Sequence, residues 1–475
     1  MQRLHEYNDR VTAIVPATSQ WLRQNRYGLF ALALVVGLGA AVGALVFRWL
    51  VFGITWLTTG QTEFGQDGYV ASGHLPWLGL GFYVVIPIIG GLVYGPMVAR
   101  WAREARGHGV PEVMIAVAEN GGRIRPRVAV VKAVASALTI GTGGSVGREG
   151  PIVQIGAALA STLGQRTGQS TSRLRILVAC GAAGGISATF NAPITGLFFG
   201  AEIILREISA GSLFAVMLSA MVADAVVRPI VGSEPFLSGF PHDATLGNTA
   251  DFALVAVLAV LAALVGQLFR FVLYGVEDLF DKAWGGRPEW LRPAVGGVLL
   301  GLLLLAVPQM FGVGYPVMFQ ALHGDYGLWL LLLLAAAKIV ATSVSLGIGG
   351  SGGVFAPSLF VGLMLGTAYG LVVQQLFGPA AGDPAVYAAI GMAGVFASGT
   401  RAPLTALASM VEMTGDFSLV LPVMLTSAIA TIVSRSVSYG TIYTTKLLRR
   451  GYDIEEQQDR QYGRLLGGGS GPSAA

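Results

Sequence analysis

One cysteine, Cys180, is all the sequence holds. A lone thiol excludes a disulfide framework and any CxxC zinc or redox motif. Its place in an apolar run marks it as a buried, inert side chain. Charge is scarce as well. Asp, Glu, Lys and Arg make up 12% of the 475 residues, about half of the roughly 25% typical of a soluble domain. Lysine is reduced to Lys132, Lys282, Lys338 and Lys446, so the basic complement is mostly arginine. No Gly-Lys dipeptide occurs, which excludes a P-loop. The histidines, His5, His74, His108, His242 and His323, are scattered, and no HExxH is present. No metal site, cofactor or enzymatic activity is therefore expected. With 53% hydrophobic residues the chain cannot cover a water-facing surface with polar groups. An ordinary cytosolic enzyme, a nucleic-acid binder and a disordered chain are excluded. The net charge of +4 reads as basic cytoplasmic loops rather than a polyanion-binding face.

What the sequence does have is long apolar stretches and glycine, 67 residues of it. A helix needs about 20 apolar residues to cross a bilayer. Residues 28–57 carry one charge, Arg48, and residues 77–99, 176–201, 252–269, 294–320 and 417–434 carry none. Residues 339–382 are uncharged throughout, long enough for two helices and a bend. The chain reads as an all-α polytopic membrane protein. Its spans are interrupted by Gly and Pro, and broken helices are tolerated in a membrane only where they are buried in protein or line an aqueous cavity. That favours a transport protein over an anchor. Arg3, Arg10, Arg23 and Arg26, then Arg100, Arg103, Arg106, Arg123, Arg125 and Arg127, then Lys446, Arg449, Arg450, Arg460 and Arg464 mark three cytoplasmic segments. Residues 58–73, with Glu63 and Asp67, and residues 232–251 read as external. The expected organisation is a cytoplasmic segment over 1–27, a transmembrane domain over 28–450 and a flexible cytoplasmic tail over 451–475. No signal peptide is expected at the start.

The chain repeats itself. Residues 132–156 and 338–362 align at an offset of 206 with ten identities in 25 positions, among them Lys132/Lys338, Gly144/Gly350, Ser145/Ser351, Gly147/Gly353 and Pro151/Pro357. Asn191-Ala192-Pro193 and Arg401-Ala402-Pro403 align at an offset of 210, together with Glu202/Glu412. Two repeat halves follow, about 28–225 and 250–445. Transporters built from such halves place their site where corresponding helix breaks meet.

Three breaks join glycines to a proline that can open a helix: Gly107-His108-Gly109-Val110-Pro111, Gly147-Arg148-Glu149-Gly150-Pro151 and Gly353-Val354-Phe355-Ala356-Pro357. A helix N-terminus carries about half a positive charge and unpaired N–H donors. Several aimed at one point would bind an anion without a buried cation, and hold it loosely enough to release. Glu149 is the odd residue, a carboxylate in such a site. It is either a tethered anion that competes with the transported one and swings away when protonated, or a plain helix cap. Arg148 reads as a structural partner or a charge at the mouth.

These three segments, with Phe190-Asn191-Ala192-Pro193 and Ile442-Tyr443, resemble the signature segments of the CLC chloride channels and chloride/proton antiporters. The resemblance runs from about residue 28 to 450. It implies two inverted-topology halves of tilted, unequal helices, and a homodimer in the cell's inner membrane with a separate pore in each subunit. It also implies a central chloride or other small anion held from position 108, from the backbone of Val354 and Phe355 and from Tyr443, with Gly109, Val110 and Ala356 alongside. An outer site would be formed by the N–H groups of Arg148, Glu149 and Gly150, and Glu149 would be the external gate.

Two departures stand out. The family's first motif usually has Ser where this chain has His108, which can still donate an N–H to an anion and can titrate. Family antiporters commonly carry a second, internal glutamate directly after a first one; here Glu202 is followed by Ile203, which cannot carry a proton. The sequence therefore leans toward a gated chloride channel, with a proton antiporter as the alternative, and Glu202 reads as a structural partner. The family's cytoplasmic nucleotide-binding tandem domains are not expected in so short a tail.

Overall fold

The computed structural model describes residues 20–456 except 24, 66–67, 238, 242–245, 247–250 and 379–380. The expectations placed on Arg3, His5, Arg10, Asp67, His242, Arg460, Arg464 and residues 457–475 lie outside the described residues. Among those described, the chain is helical throughout. Its only β pairings are two isolated bridges, Gly107 with Ser351 and Gly147 with Gly353.

The first half runs through α1 (Arg26–Thr59), α2 (Phe82–Trp101), α3 (Val110–Ala118), α4 (Arg127–Gly141), α5 (Glu149–Arg166), α6 (Thr171–Phe190), α7 (Pro193–Phe198, continued by a π-turn over Phe199–Leu205) and α8 (Ala210–Val231). The second half repeats that order: α9 (Asp251–Trp284), α10 (Arg292–Ala306), α11 (Tyr315–Leu322), α12 (Leu328–Gly347), α13 (Phe355–Phe377), α14 (Pro384–Thr400), α15 (Pro403–Thr414) and α16 (Val420–Val437). A short helix α17 (Thr444–Leu448) follows. Eight helices among the described residues are long and apolar enough to cross a membrane.

Packing repeats with the sequence. α6 lies against α1, α5 and α8, and α14 lies against α9, α13 and α16 in the same way. Across the halves, like meets like: α2 packs on α10 and α7 on α15. Lipid supplies no hydrophobic drive between helices, so close approach must hold them. Glycine permits it: a Cβ on Gly156 would overlap the Gly181 carbonyl, and one on Gly362 would overlap that of Gly391.

The halves are inverted. Arg173 donates to the carbonyls of Leu22, Arg23 and Asn25 at the start of α1, whereas Arg449 pairs with Asp278 near the finish of α9. Both lie at one basic end of the molecule, with the ion pairs Arg106–Glu289, Arg206–Glu455 and Arg450–Glu112.

Two expected spans are each two elements. The run over 176–201 breaks at Asn191, which adopts a left-handed conformation at φ 57°, and α7 restarts at Pro193. Its repeat partner Arg401 does the same at φ 54°. The run over 294–320 breaks between α10 and α11 around Gly312 and Gly314, both at positive φ. The run over 252–269 is the first part of a 34-residue helix. The uncharged run 339–382 does hold two helices and a bend, α12 and α13.

Candidate functional site

The three glycine-rich breaks come together. Gly147 and Gly353 exchange backbone hydrogen bonds at 2.8 and 2.7 Å, Gly107 N–H donates to Gly350 O at 3.0 Å, and Gly352 N–H donates to Gly107 O at 3.3 Å. Gly150 is the point of closest approach: a Cβ there would overlap the His108 carbonyl and crowd Gly353 Cα. The hydroxyls that hold the breaks come from the opposite half. Ser345 Oγ accepts from Ser145 N–H at 3.0 Å, and Thr139 Oγ1 accepts from Ser351 N–H at 3.2 Å.

The two fully buried lysines act in the same symmetric way. Lys132 Nζ donates to the carbonyls of Ala105 and Gly107 at 3.0 and 2.7 Å. Lys338 Nζ donates to Gly312 O, Val313 O and Ser145 Oγ at 3.2, 2.7 and 2.9 Å. An ammonium offers three donors and no acceptor, so it turns loop carbonyls toward itself.

The helices that open at the three breaks start at Val110 (α3), Glu149 (α5) and Phe355 (α13), all buried. None is capped by the side chain of the residue before it, Gly109, Arg148 or Val354. Uncapped buried N-termini leave N–H donors without intrahelical partners. The prolines do not open the helices at their first residue. Pro111 is second in α3, and Pro151 and Pro357 are third in α5 and α13. All remain in the first turn, where a missing N–H costs no intrahelical bond.

Glu149 fills this place with its own carboxylate. Oε1 accepts from the Tyr315 hydroxyl at 2.5 Å and Oε2 accepts from Ala356 N–H at 3.3 Å. A Cβ on Gly147 would strike Oε2, so the glycine is what lets the side chain lie there. The Arg148 guanidinium sits over the Tyr315 ring at 4.7 Å and the Phe52 ring at 5.6 Å. It lines a cavity of about 50 Å³ shared with Glu63 and Tyr315.

Tyr315 is absent from the sequence-based set. Gly312-Val313-Gly314-Tyr315-Pro316 copies the glycines and proline of Gly107-His108-Gly109-Val110-Pro111 at a spacing of 205 residues. That third repeat block was the available signal.

On the other side of Glu149, Tyr443 precedes α17 and is buried. It is pinned through its neighbour: Ile442 N–H donates to Gly399 O at 2.7 Å, and the Tyr274 hydroxyl donates to Ile442 O at 2.6 Å. The His108 ring is buried edge-on to Tyr274, centroids 6.1 Å apart, and its Nδ1 has no hydrogen-bond partner among the described residues. Phe355 packs in a cluster with Phe190 and Phe396, rings tilted and centroids 5.2 and 4.6 Å apart. Tyr443 lines a second cavity, about 160 Å³, with Ile203, Arg206, Arg401 and Arg435. One cavity thus reaches Arg148 and Tyr315, the other reaches Tyr443, and Glu149 lies among the helix ends between them.

Glu202 is structural. Its carboxylate accepts from Leu404 N–H, Thr405 N–H and Thr405 Oγ1 at 3.1, 2.8 and 2.7 Å, capping α15. Glu412 repeats this on α7, accepting from Ile194 N–H, Thr195 N–H and Thr195 Oγ1 at 2.8, 2.6 and 2.7 Å.

Inverted halves, paired broken helices and unsheathed N-termini around a carboxylate define an anion-transport protein of the membrane. The comparisons make that specific. The voltage gated chloride channel family matches residues 90–435. The chain belongs to this family, the CLC proteins, and transports chloride. A voltage-gated ClC-type chloride channel, ClcB, of Escherichia coli O17:K52:H18 is 31% identical over 87% of this chain and 97% of its own length. An H⁺/Cl⁻ exchange transporter, ClcA, of Vibrio cholerae serotype O1 is 35% identical over 57% of this chain and 58% of its own. A slow cyanobacterial Cl⁻/H⁺ antiporter of solved structure shares the fold, with a TM-score of 0.79, 24% identity, and coverage of 91% of this chain and 99% of its own.

Proposed function

We propose that the chain exchanges chloride for protons across the cytoplasmic membrane, rather than conducting chloride passively. The observation that carries this reading is the Glu149 carboxylate, held between the starts of α5 and α13 by one hydroxyl and one backbone N–H. A carboxylate in the place of an anion makes chloride occupancy and proton uptake competing events at one point. The exchange transporter and antiporter among the relatives support the same reading. The lean toward a channel drawn from Ile203 accordingly gives way. A passive channel remains the second reading, favoured by Ile203 and by the name of the ClcB relative.

The central anion in this account sits by the N–H groups of Val354 and Phe355 and the Tyr443 hydroxyl, with His108, Gly109 and Val110 on its flank. The outer anion takes the place of the Glu149 carboxylate, against the N–H groups of Arg148, Glu149, Gly150 and Ala356. The basic end faces the cytoplasm by the positive-inside tendency. The unit is a homodimer with one pathway per subunit. Ile194, Phe214, Met221, Leu404, Leu421 and Ile432 form the apolar face on α7, α8, α15 and α16 that a second copy would cover.

Purified protein in liposomes tests the reading. An outward chloride gradient should drive protons uphill against their own gradient. Chloride flux with no proton movement would return the channel reading.

A further inference from the structure

Exchange needs a proton route on the cytoplasmic side, and position 203 offers it no titratable group. Ile203 is buried in the wall of the cavity that reaches Tyr443. A different carboxylate lines the same cavity. Glu455, which follows α17 by seven residues, lies there beside Ile203, Arg206, Arg401, Arg435 and Tyr443.

Glu455 is placed firmly. Asp453 Oδ1 accepts from the N–H groups of Glu455 and Glu456 at 3.1 and 3.0 Å, starting a short helical turn. The Tyr439 hydroxyl donates to Asp453 Oδ2 at 2.9 Å. Arg206 Nη1 donates to Ile454 O at 2.9 Å, and the Ile454 side chain is buried. Arg206 itself holds a left-handed backbone at φ 56°, a conformation an L-residue keeps only where its surroundings demand it.

The Glu455 side chain is 5% exposed, and its two oxygens differ. Oε2 accepts from Arg206 Nη2 at 3.0 Å, whereas Oε1 is buried with no hydrogen-bond partner among the described residues. A buried carboxylate oxygen without a donor is costly unless something visits it. A proton is the smallest such visitor. Protonation at Oε1 leaves the Arg206 bond to Oε2 in place. The other carboxylate on this cavity, Glu202, is saturated on the start of α15 and is unsuited to the task.

We propose that Glu455 is the cytoplasmic proton acceptor of the exchange cycle, standing in from the C-terminal segment for the carboxylate missing at Ile203. Its Oε1 takes a proton from cytoplasmic solvent and gives it up on the Tyr443 side, toward Glu149, returning to carboxylate. The charged and titratable groups facing it are Arg206, Arg401, Arg435, Glu202 and Tyr443, with Asp453 and Glu456 on its own turn. The arginines keep the cavity attractive to chloride while the carboxylate handles protons, so both ions enter by one mouth. This role rests on the exchange reading.

The test records chloride and proton fluxes together in liposomes for wild type, Glu455→Gln and Glu455→Gln with Ile203→Glu. Each protein is first checked for a single dimeric peak in detergent. Wild type is expected to move both ions. Glu455→Gln is expected to pass chloride and lose proton movement, and adding Ile203→Glu is expected to restore it. Coupled exchange undiminished in Glu455→Gln would overturn the proposal while leaving the exchange reading intact. So would loss of both ions together in folded Glu455→Gln, which would place the residue in the anion path or the scaffold. A wild type that moves no protons would end the exchange reading and this proposal with it.

Discussion

Two donors hold the Glu149 carboxylate, and neither is a cation. The contest with chloride is therefore settled by a hydroxyl, a backbone N–H and the helix ends. A hydrogen bond to a charged group contributes about 1.5–3 kcal/mol, so Tyr315→Phe should weaken the carboxylate's hold by roughly tenfold or more. Chloride efflux from liposomes at neutral pH should rise accordingly; an unchanged rate would mean that Tyr315 does not hold the gate. Protonation acts in the same direction, because a neutral carboxyl no longer mimics an anion. Flux should rise as external pH falls in wild type and stay flat in Glu149→Gln, as measured across an external pH series. His108 should set discrimination among anions, since it replaces a small hydroxyl by a ring. Bromide and nitrate competition assays on His108→Ser should show a changed order of preference. Glu149, Arg148 and Tyr443 were legible from motif and resemblance. Tyr315 was not, because residue 315 carries the contact on a helix start whose copy in the first half carries an apolar Val110. Glu455 was out of reach for another reason: nothing in a sequence brings the segment after α17 back to Ile203.

Among the helices, the symmetric caps are the most exacting feature. Glu202 and Glu412 each satisfy two backbone N–H groups and a threonine hydroxyl on the other half's helix. A capping contribution is typically about 0.5–2 kcal/mol, and burial favours the upper part of that range. Glu202→Ala and Glu412→Ala should lower thermal stability in detergent by similar amounts. Neither should change the proton-to-chloride ratio, and a selective loss of proton flux in Glu202→Ala would contradict the capping role. The three glycine-rich breaks were readable from sequence, and α3, α5 and α13 start at them; the breaks inside residues 176–201 and 294–320 were not readable from hydropathy. Residues 176–201 look like one apolar span, yet Asn191 turns left-handed so that α7 can restart with its N-terminus on Glu412. Apolarity records only that a segment lies in the membrane; a turn inside it is written in a single Asn-Ala-Pro. Arg401-Ala402-Pro403 shows that the turn matters more than the residue type, because an arginine adopts it as well.

The whole molecule is a pair of inverted halves whose breaks interlock, with a cavity reaching each side of Glu149. The apolar face on α8 and α16 carries no charged group at Phe214, Met221, Leu421 or Ile432. On the proposed arrangement of one pathway per subunit, Leu421→Trp with Ile432→Trp should give a monomer in detergent that still transports. A folded monomer without flux would show that the pathway needs two chains. In the proposed exchanger the glycine-rich breaks of the two halves build two adjacent anion positions, and Glu149 occupies the outer one in place of an ion. Anomalous diffraction from bromide-soaked crystals of wild type and Glu149→Gln tests it most directly. One bromide is expected by Val354, Phe355 and Tyr443 in both proteins, and a second against Arg148, Gly150 and Ala356 only where the carboxylate is gone. Bromide confined to the arginine-lined cavity in both proteins, with none at the helix starts, would contradict it.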